Sequence, residues 1–185
     1  PFDDLNAEVT SDITWWPWRE WYYTINVCNF AISRCGEDNS QLSNKMKRIK
    51  GQVLFLRGLS YYNLVGYYQN PPLITDYATY SSLDGLYTTN STYDNVLDQV
   101  EKDFHEAMEL LPSRDEGGEW AGGRATCGAA AGYYARALMM RQKYSDALTV
   151  LKDIIGKKYG TYRLMSNYGD NFREGSAYEN NAESL

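Results

Sequence analysis

Four tryptophans, Trp15, Trp16, Trp18 and Trp21, fall within seven residues, and the chemistry such a cluster offers is noncovalent. The flat apolar face of an indole stacks on the C–H face of a sugar ring, while neighbours such as Arg19 or Asn26 can hydrogen-bond the hydroxyls. Four rings on about two helical turns point in different directions, so one core cannot take them all. Trp15, Trp16 and Trp18 are therefore candidate ligand-binding residues, and Trp21, on the apolar stripe of its helix, belongs to the core. The plainer assignment for the first three is a cover over the core or a contact with another part of the protein. Tyr77, Tyr80 and Tyr87 form a second candidate surface, because a loop rich in Tyr, Ser, Thr and Gly has the composition of antibody contact loops. Folding back onto a helix is the plainer reading there.

Chemistry that makes or breaks bonds has little to work with. The single histidine, His105, stands among Asp103 and Glu106 on a polar helix face and reads as solvated. Asp98, Glu101, Asp103, Glu106 and Glu109 read as one solvated acidic face, whereas glycoside hydrolysis needs two carboxylates converging across a cleft. No catalytic residue is assigned and an enzyme is not expected. Cys28 and Cys35 lie about 10 Å apart along one helix, beyond disulfide reach, and Cys127 is distant, so all three read as small buried apolar residues. Neither paired cysteines nor a dense acidic loop suggests a metal site; Asp3-Asp4 and Asp170-Asn171 lack the alternation of an ion loop. No cofactor is expected.

The chain has 185 residues, 43% of them apolar, enough for one domain over residues 1–185 with a single core. Its 24 acidic and 18 basic residues leave a charge of −6, and the basic ones are scattered, which argues against nucleic acid. No apolar run approaches the roughly 20 residues of a spanning helix. The chain opens Pro1-Phe2-Asp3-Asp4, which reads as the interior of a longer precursor.

Helical periodicity organises most of this. Trp21, Ile25, Cys28, Ile32 and Cys35 recur at spacings of three and four in a helix from Thr14 to Cys35, with Pro17 in its first turn. A second helix, about Gln41 to Tyr68, carries Met46, Ile49, Val53 and Leu56 on one stripe and then turns apolar on nearly every side, as a central helix does. Asn70-Pro71-Pro72 stops it. A long irregular loop, 71–91, follows. A third helix, capped by Ser91 or Thr92, buries Val96, Val100, Phe104, Ala107, Met108 and Leu111 and ends at Pro112. A fourth, about Ala125 to Arg141, is rich in Ala and Gly, which lets a neighbour approach closely. A fifth, about Ser145 to Ile155, packs through Ala147, Leu148, Leu151, Ile154 and Ile155. Tyr61, Tyr62 and Tyr144 are assigned to helix packing. Arg57, inside an apolar run, must find a carboxylate or helix-end carbonyls if buried, and Arg124 reads similarly. The offsets of Ala135, Tyr144 and Ala147, and of Phe104, Ala107 and Pro112, fit two partial tetratricopeptide units. The fold class is thus all-α, in tetratricopeptide-like helix pairs with long irregular loops.

Arg57-Gly58-Leu59-Ser60-Tyr61-Tyr62-Asn63-Leu64, then Pro72-Leu73-Ile74-Thr75, then Tyr93 to Pro112, then Gly123-Arg124-Ala125-Thr126 with its Ala-rich helix, form an ordered set. As a set they closely resemble the SusD/RagB family. The tail, Tyr168-Gly169-Asp170-Asn171-Phe172 and Asn181-Ala182-Glu183-Ser184, resembles the segment that follows this helical region in the family. The resemblance implies an internal fragment holding the tetratricopeptide-like half of a surface lipoprotein of Bacteroidetes. The N-terminal lipid-attachment cysteine and the C-terminal part are absent from this chain. It further implies an outer-membrane, cell-surface, lipid-anchored protein that captures oligosaccharides or polysaccharides, in some members peptides, for a SusC-like TonB-dependent transporter, without catalysis. From the helix spacings alone, the alternative is a tetratricopeptide scaffold that binds protein or peptide partners.

Overall fold

The computed structural model describes residues 12–36, 38–81, 87–117, 123–175 and 181–183, with the backbone alone at 12, 13, 80 and 81. Five helices carry the architecture: α1 (Asp12–Cys35), α2 (Asn44–Tyr68), α3 (Tyr93–Leu110), α4 (Cys127–Met140) and α5 (Tyr144–Ile155). Side-chain caps set three of the starts. Ser43 Oγ accepts from Met46 N at 3.3 Å, Thr92 Oγ1 from Asn95 N at 3.3 Å and Thr126 Oγ1 from Ala129 N at 3.1 Å. The Ser43 cap places the start of α2 later than the periodicity suggests, and Asn39–Gln41 forms a separate 3₁₀ turn. α1 starts earlier than expected, so Pro17 is its sixth residue and lies beyond the first turn.

Each helix packs against the next in the chain, α1 on α2, α2 on α3, α3 on α4 and α4 on α5. α2 is central, as its near-continuous apolar character predicts, and its Leu54, Tyr61 and Leu64 join Ile25, Val100 and Phe104 in the main core. Gly51 and Gly58, one face of α2, let α3 come close: a Cβ at Gly58 would sit 3.1 Å from Phe104 Cε1. A smaller core between α4 and α5 consists of Ala131, Ala135, Leu138, Ala147 and Val150.

Three readings of the sequence are corrected by this packing. Tyr144 is 64% exposed and does not serve helix packing; Leu148, Leu151 and Ile155 are exposed with it. Among the described residues α5 packs mainly on α4, which covers its Ala147–Val150 side. Leu56 likewise faces outward on α2. Asp103 leaves the solvated acidic face entirely and is 1% exposed, because it pairs with Arg57 across the α2–α3 interface.

The first part of the 71–91 connection is pinned rather than free. Tyr61 Oη accepts from Ile74 N and donates to Ile74 O, both at 2.8 Å. Asn29 Nδ2 donates to Ile74 O at 2.8 Å, and Tyr22 Oη donates to Pro72 O at 2.6 Å. The segment then enters a 3₁₀ turn, Tyr77–Ser81.

Candidate functional site

The tryptophan cluster divides according to which faces of α1 meet α2. Trp15 and Trp16 are half exposed, and their rings stack with centroids 6.3 Å apart and planes 24° from parallel. The Arg19 guanidinium lies over both rings, 5.4 Å from the Trp15 centroid and 4.5 Å from that of Trp16. Arg19 Nε also meets the Glu20 carboxylate at 3.3 Å. Cation–π contact of this kind orients a long side chain at the edge of an aromatic surface. The resulting surface is apolar and flat, with charged hydrogen-bonding groups beside it. Tyr68 Oη donates to the Thr14 carbonyl and so ties this end of α1 to the last turn of α2.

Trp18 faces the other way. Its ring lies 4.9 Å from Tyr22 and 4.9 Å, edge-on, from Tyr68. Trp21 packs beside Tyr67 and Tyr68 and borders the main core. The Asn26 side-chain carbonyl is shielded from solvent, with no hydrogen-bond partner among the described residues, so it does not flank the exposed rings.

Tyr77 contacts the opposite end of α1. Its ring is edge-on to Phe30 at 5.0 Å, and the Arg34 guanidinium lies 5.0 Å from the same Phe30 ring. Fourteen residues of α1 separate Trp16 from Phe30, about 21 Å along the axis, so the two candidate surfaces are not one site. The Tyr80 side chain lies outside the described residues; Tyr87 is exposed. Between the two ends, Tyr23 and Val27 are exposed as well, and Trp16, Tyr23, Val27 and Phe30 share one outward face of α1. Sequence reasoning missed this stripe. Its signal was present as a second apolar period, offset from the stripe of Ile25 and Cys28.

A groove of about 1290 Å³ runs between α1 and α3 over α2, its lining including Asn29, Lys50, Arg57, His105 and Glu106. Its buried charges, Arg57 and Lys50, are both engaged with neighbouring carboxylates. Arg57 holds Asp103 and also donates to Asn29 Oδ1 at 2.9 Å, while Gln99 Nε2 donates to Asp103 Oδ1 at 2.8 Å. Burial pushes the Asp103 carboxyl up, and the Arg57 hydrogen bonds oppose that push. Lys50 Nζ bonds Asn39 Oδ1 at 2.8 Å and meets Glu106 at 3.3 Å. These groups hold helices together. His105 is half exposed beside Glu109, as expected. Among the described residues no cluster of His, Cys, Asp or Glu is arranged to hold a metal ion, and no helix is long and apolar enough to cross a membrane.

Residues 3–139 match the SusD-like family model described as starch-binding and associating with the outer membrane. The chain belongs to the SusD-like family. It is 24% identical over 165 residues to SusD-like protein P25 of Formosa agariphila, covering 87% of this chain and 29% of that protein. A SusD-like carbohydrate binding protein of Bacteroides fragilis superposes with a TM-score of 0.73 at 24% identity, over 84% of this chain and 29% of its own. A laminarin binding SusD-like protein superposes with a TM-score of 0.70 at 25% identity, over 84% of this chain and 33% of its own. The SusD-like chain described here therefore spans about a third or less of the length of these relatives. Its all-α architecture is theirs, and the ordered motifs fall inside it as structural parts. Arg57 is the clamp between α2 and α3, Tyr61 holds the Pro72–Thr75 exit, and Thr126 caps the Ala-rich α4.

Proposed function

We propose that the protein is the surface glycan-binding component of a SusC/SusD-like uptake system. It captures oligosaccharides outside the outer membrane and hands them to a TonB-dependent transporter, held to the membrane by a lipid anchor on a longer form of the protein. This chain supplies the helical part of that longer protein. The observation that carries the reading is the exposed, stacked Trp15–Trp16 pair with Arg19 laid across it. Indole faces held in place in this way offer a sugar ring contact area without loss of side-chain freedom. Family membership and the laminarin named for one 25%-identical relative support a glycan as ligand. Trp18, packed against Tyr22 and Tyr68, anchors this end of α1 from its inner side, and Tyr77 offers a separate contact surface beside Phe30 at the far end of α1. The reading involves binding alone, with no catalytic step.

The test is affinity electrophoresis of the full-length protein through gels containing a panel of polysaccharides, laminarin among them. Retardation by at least one glycan is expected, and Trp15→Ala with Trp16→Ala should abolish most of it. Binding of peptides with no retardation by any glycan would overturn the carbohydrate reading in favour of a tetratricopeptide-type scaffold. Retardation that both substitutions leave unchanged would move the site elsewhere.

A further inference from the structure

Gly66 relieves no close contact among the described residues. A Cβ at Gly51 or Gly58 would press on α3, whereas one at Gly66 would meet nothing within 4 Å. Glycine within a helix costs stability relative to alanine, so a glycine that relieves no internal contact points to something approaching from outside. Around it, Tyr62, Asn63, Gly66 and Tyr67 of α2 and Met140 of α4 line an open hollow of about 190 Å³. Tyr67 is 76% exposed, and its ring is held by Trp21 at 5.4 Å. On α4, one turn before Met140, Arg136 is exposed with its guanidinium 5.4 Å from the Tyr62 ring and 5.3 Å from that of Tyr133. Arg136 pairs with no carboxylate among the described residues. Two tyrosine faces thus hold in place a cation that no carboxylate among the described residues neutralises.

We propose that this hollow is a second sugar subsite, selective for a ring that carries an acidic group. The ring lies over Gly66 against the exposed face of Tyr67, the Asn63 amide reaches a hydroxyl, and Arg136 takes the carboxylate or sulfate in a charge-assisted hydrogen bond. The hollow has room for one ring. It lacks the row of pockets by which a groove anchors a peptide helix. The proposal rests on the glycan-binding reading and adds to it a preference for charged glycans.

The experiment is calorimetric titration of the full-length protein with three probes: an oligogalacturonate, its carboxyl-reduced neutral counterpart, and a sulfated galactan oligosaccharide. At least one acidic probe should bind more tightly than the neutral one, and the tighter of the two identifies the anion. Arg136→Gln should weaken that binding by about tenfold or more and leave neutral-probe binding unchanged, with Arg136→Lys in between. Gly66→Leu fills the hollow with a better helix former, so it should lose acidic-probe affinity without lowering the melting temperature. Equal binding of acidic and neutral probes, or acidic-probe binding indifferent to both Arg136→Gln and Gly66→Leu, would overturn the subsite. So would capture of an acidic peptide in place of either sugar. Neutral glycan bound through Trp15 and Trp16, with no acidic probe bound, would remove this subsite and leave the glycan reading standing. No probe bound here and no polysaccharide of the electrophoresis panel bound either would remove both.

Discussion

The Arg57 guanidinium grips the Asp103 carboxylate at two points, Nε to Oδ2 at 2.8 Å and Nη2 to Oδ1 at 2.6 Å, with both side chains almost wholly buried. Two parallel bonds fix the register of α2 against α3 more tightly than apolar contact alone, and the remaining polar atoms are satisfied by Asn29 and Gln99. Removing one partner strands a charge away from water. Arg57→Met should therefore cost about 3–5 kcal/mol in urea unfolding, whereas the double replacement Arg57→Met with Asp103→Leu should recover most of it. A single variant within about 1 kcal/mol of the wild type would mean that water reaches the pair.

Cys28 lies beside this pair, and burial pushes its thiol from the ordinary 9.0 up to about 11, with Arg57 pulling the other way. Above pH 9 the unfolded chain gives up the proton while the folded one keeps it. The folded state then binds more protons, and stability falls as pH rises from about 9 to about 11. Part of the alkaline slope of the unfolding free energy should disappear in Cys28→Ala. At pH 8 the folded protein should resist iodoacetamide at Cys28 until denaturant is added; rapid alkylation in the native state would contradict its burial.

The helices were legible because their apolar periods were long and their stops were proline or glycine; the stripe Val96, Val100, Phe104 and Ala107 is buried as its spacing demands. Arg57 was legible as a charge in need of a partner. The partner was not, because Asp103 stands among other acids, although its position between Val100 and Ala107 already put it on the buried side. The tryptophans show the limit of local reasoning. Which of Trp15, Trp16 and Trp18 faces outward depends on Tyr67 and Tyr68, some fifty residues away in sequence. Tyr144 fails for the converse reason: the tetratricopeptide offsets give it a packing position but do not say whether another helix covers it, and it is exposed.

Three glycines on α2 should respond oppositely to the same substitution, which makes them a direct test of where the helix has neighbours. Alanine at Gly58 must fit 3.1 Å from Phe104 Cε1 and 3.2 Å from Asp103 Cβ, and at Gly51 only 2.9 Å from the Leu111 side chain. α3 cannot retreat at Gly58 without loosening the grip of Arg57 on Asp103, so Gly58→Ala should cost about 1–3 kcal/mol, the usual range for overpacking. Leu111 lies just past the end of α3 and can yield more easily, so Gly51→Ala should cost less. At Gly66 the space is open and the backbone is helical, so alanine should stabilise the fold by about 0.5–1 kcal/mol through helix propensity alone. Thermal unfolding of the three single variants checks the order Gly66→Ala, wild type, Gly51→Ala, Gly58→Ala from most to least stable. A Gly58→Ala variant as stable as the wild type would show that α2 and α3 are not in the close contact that the buried ion pair requires.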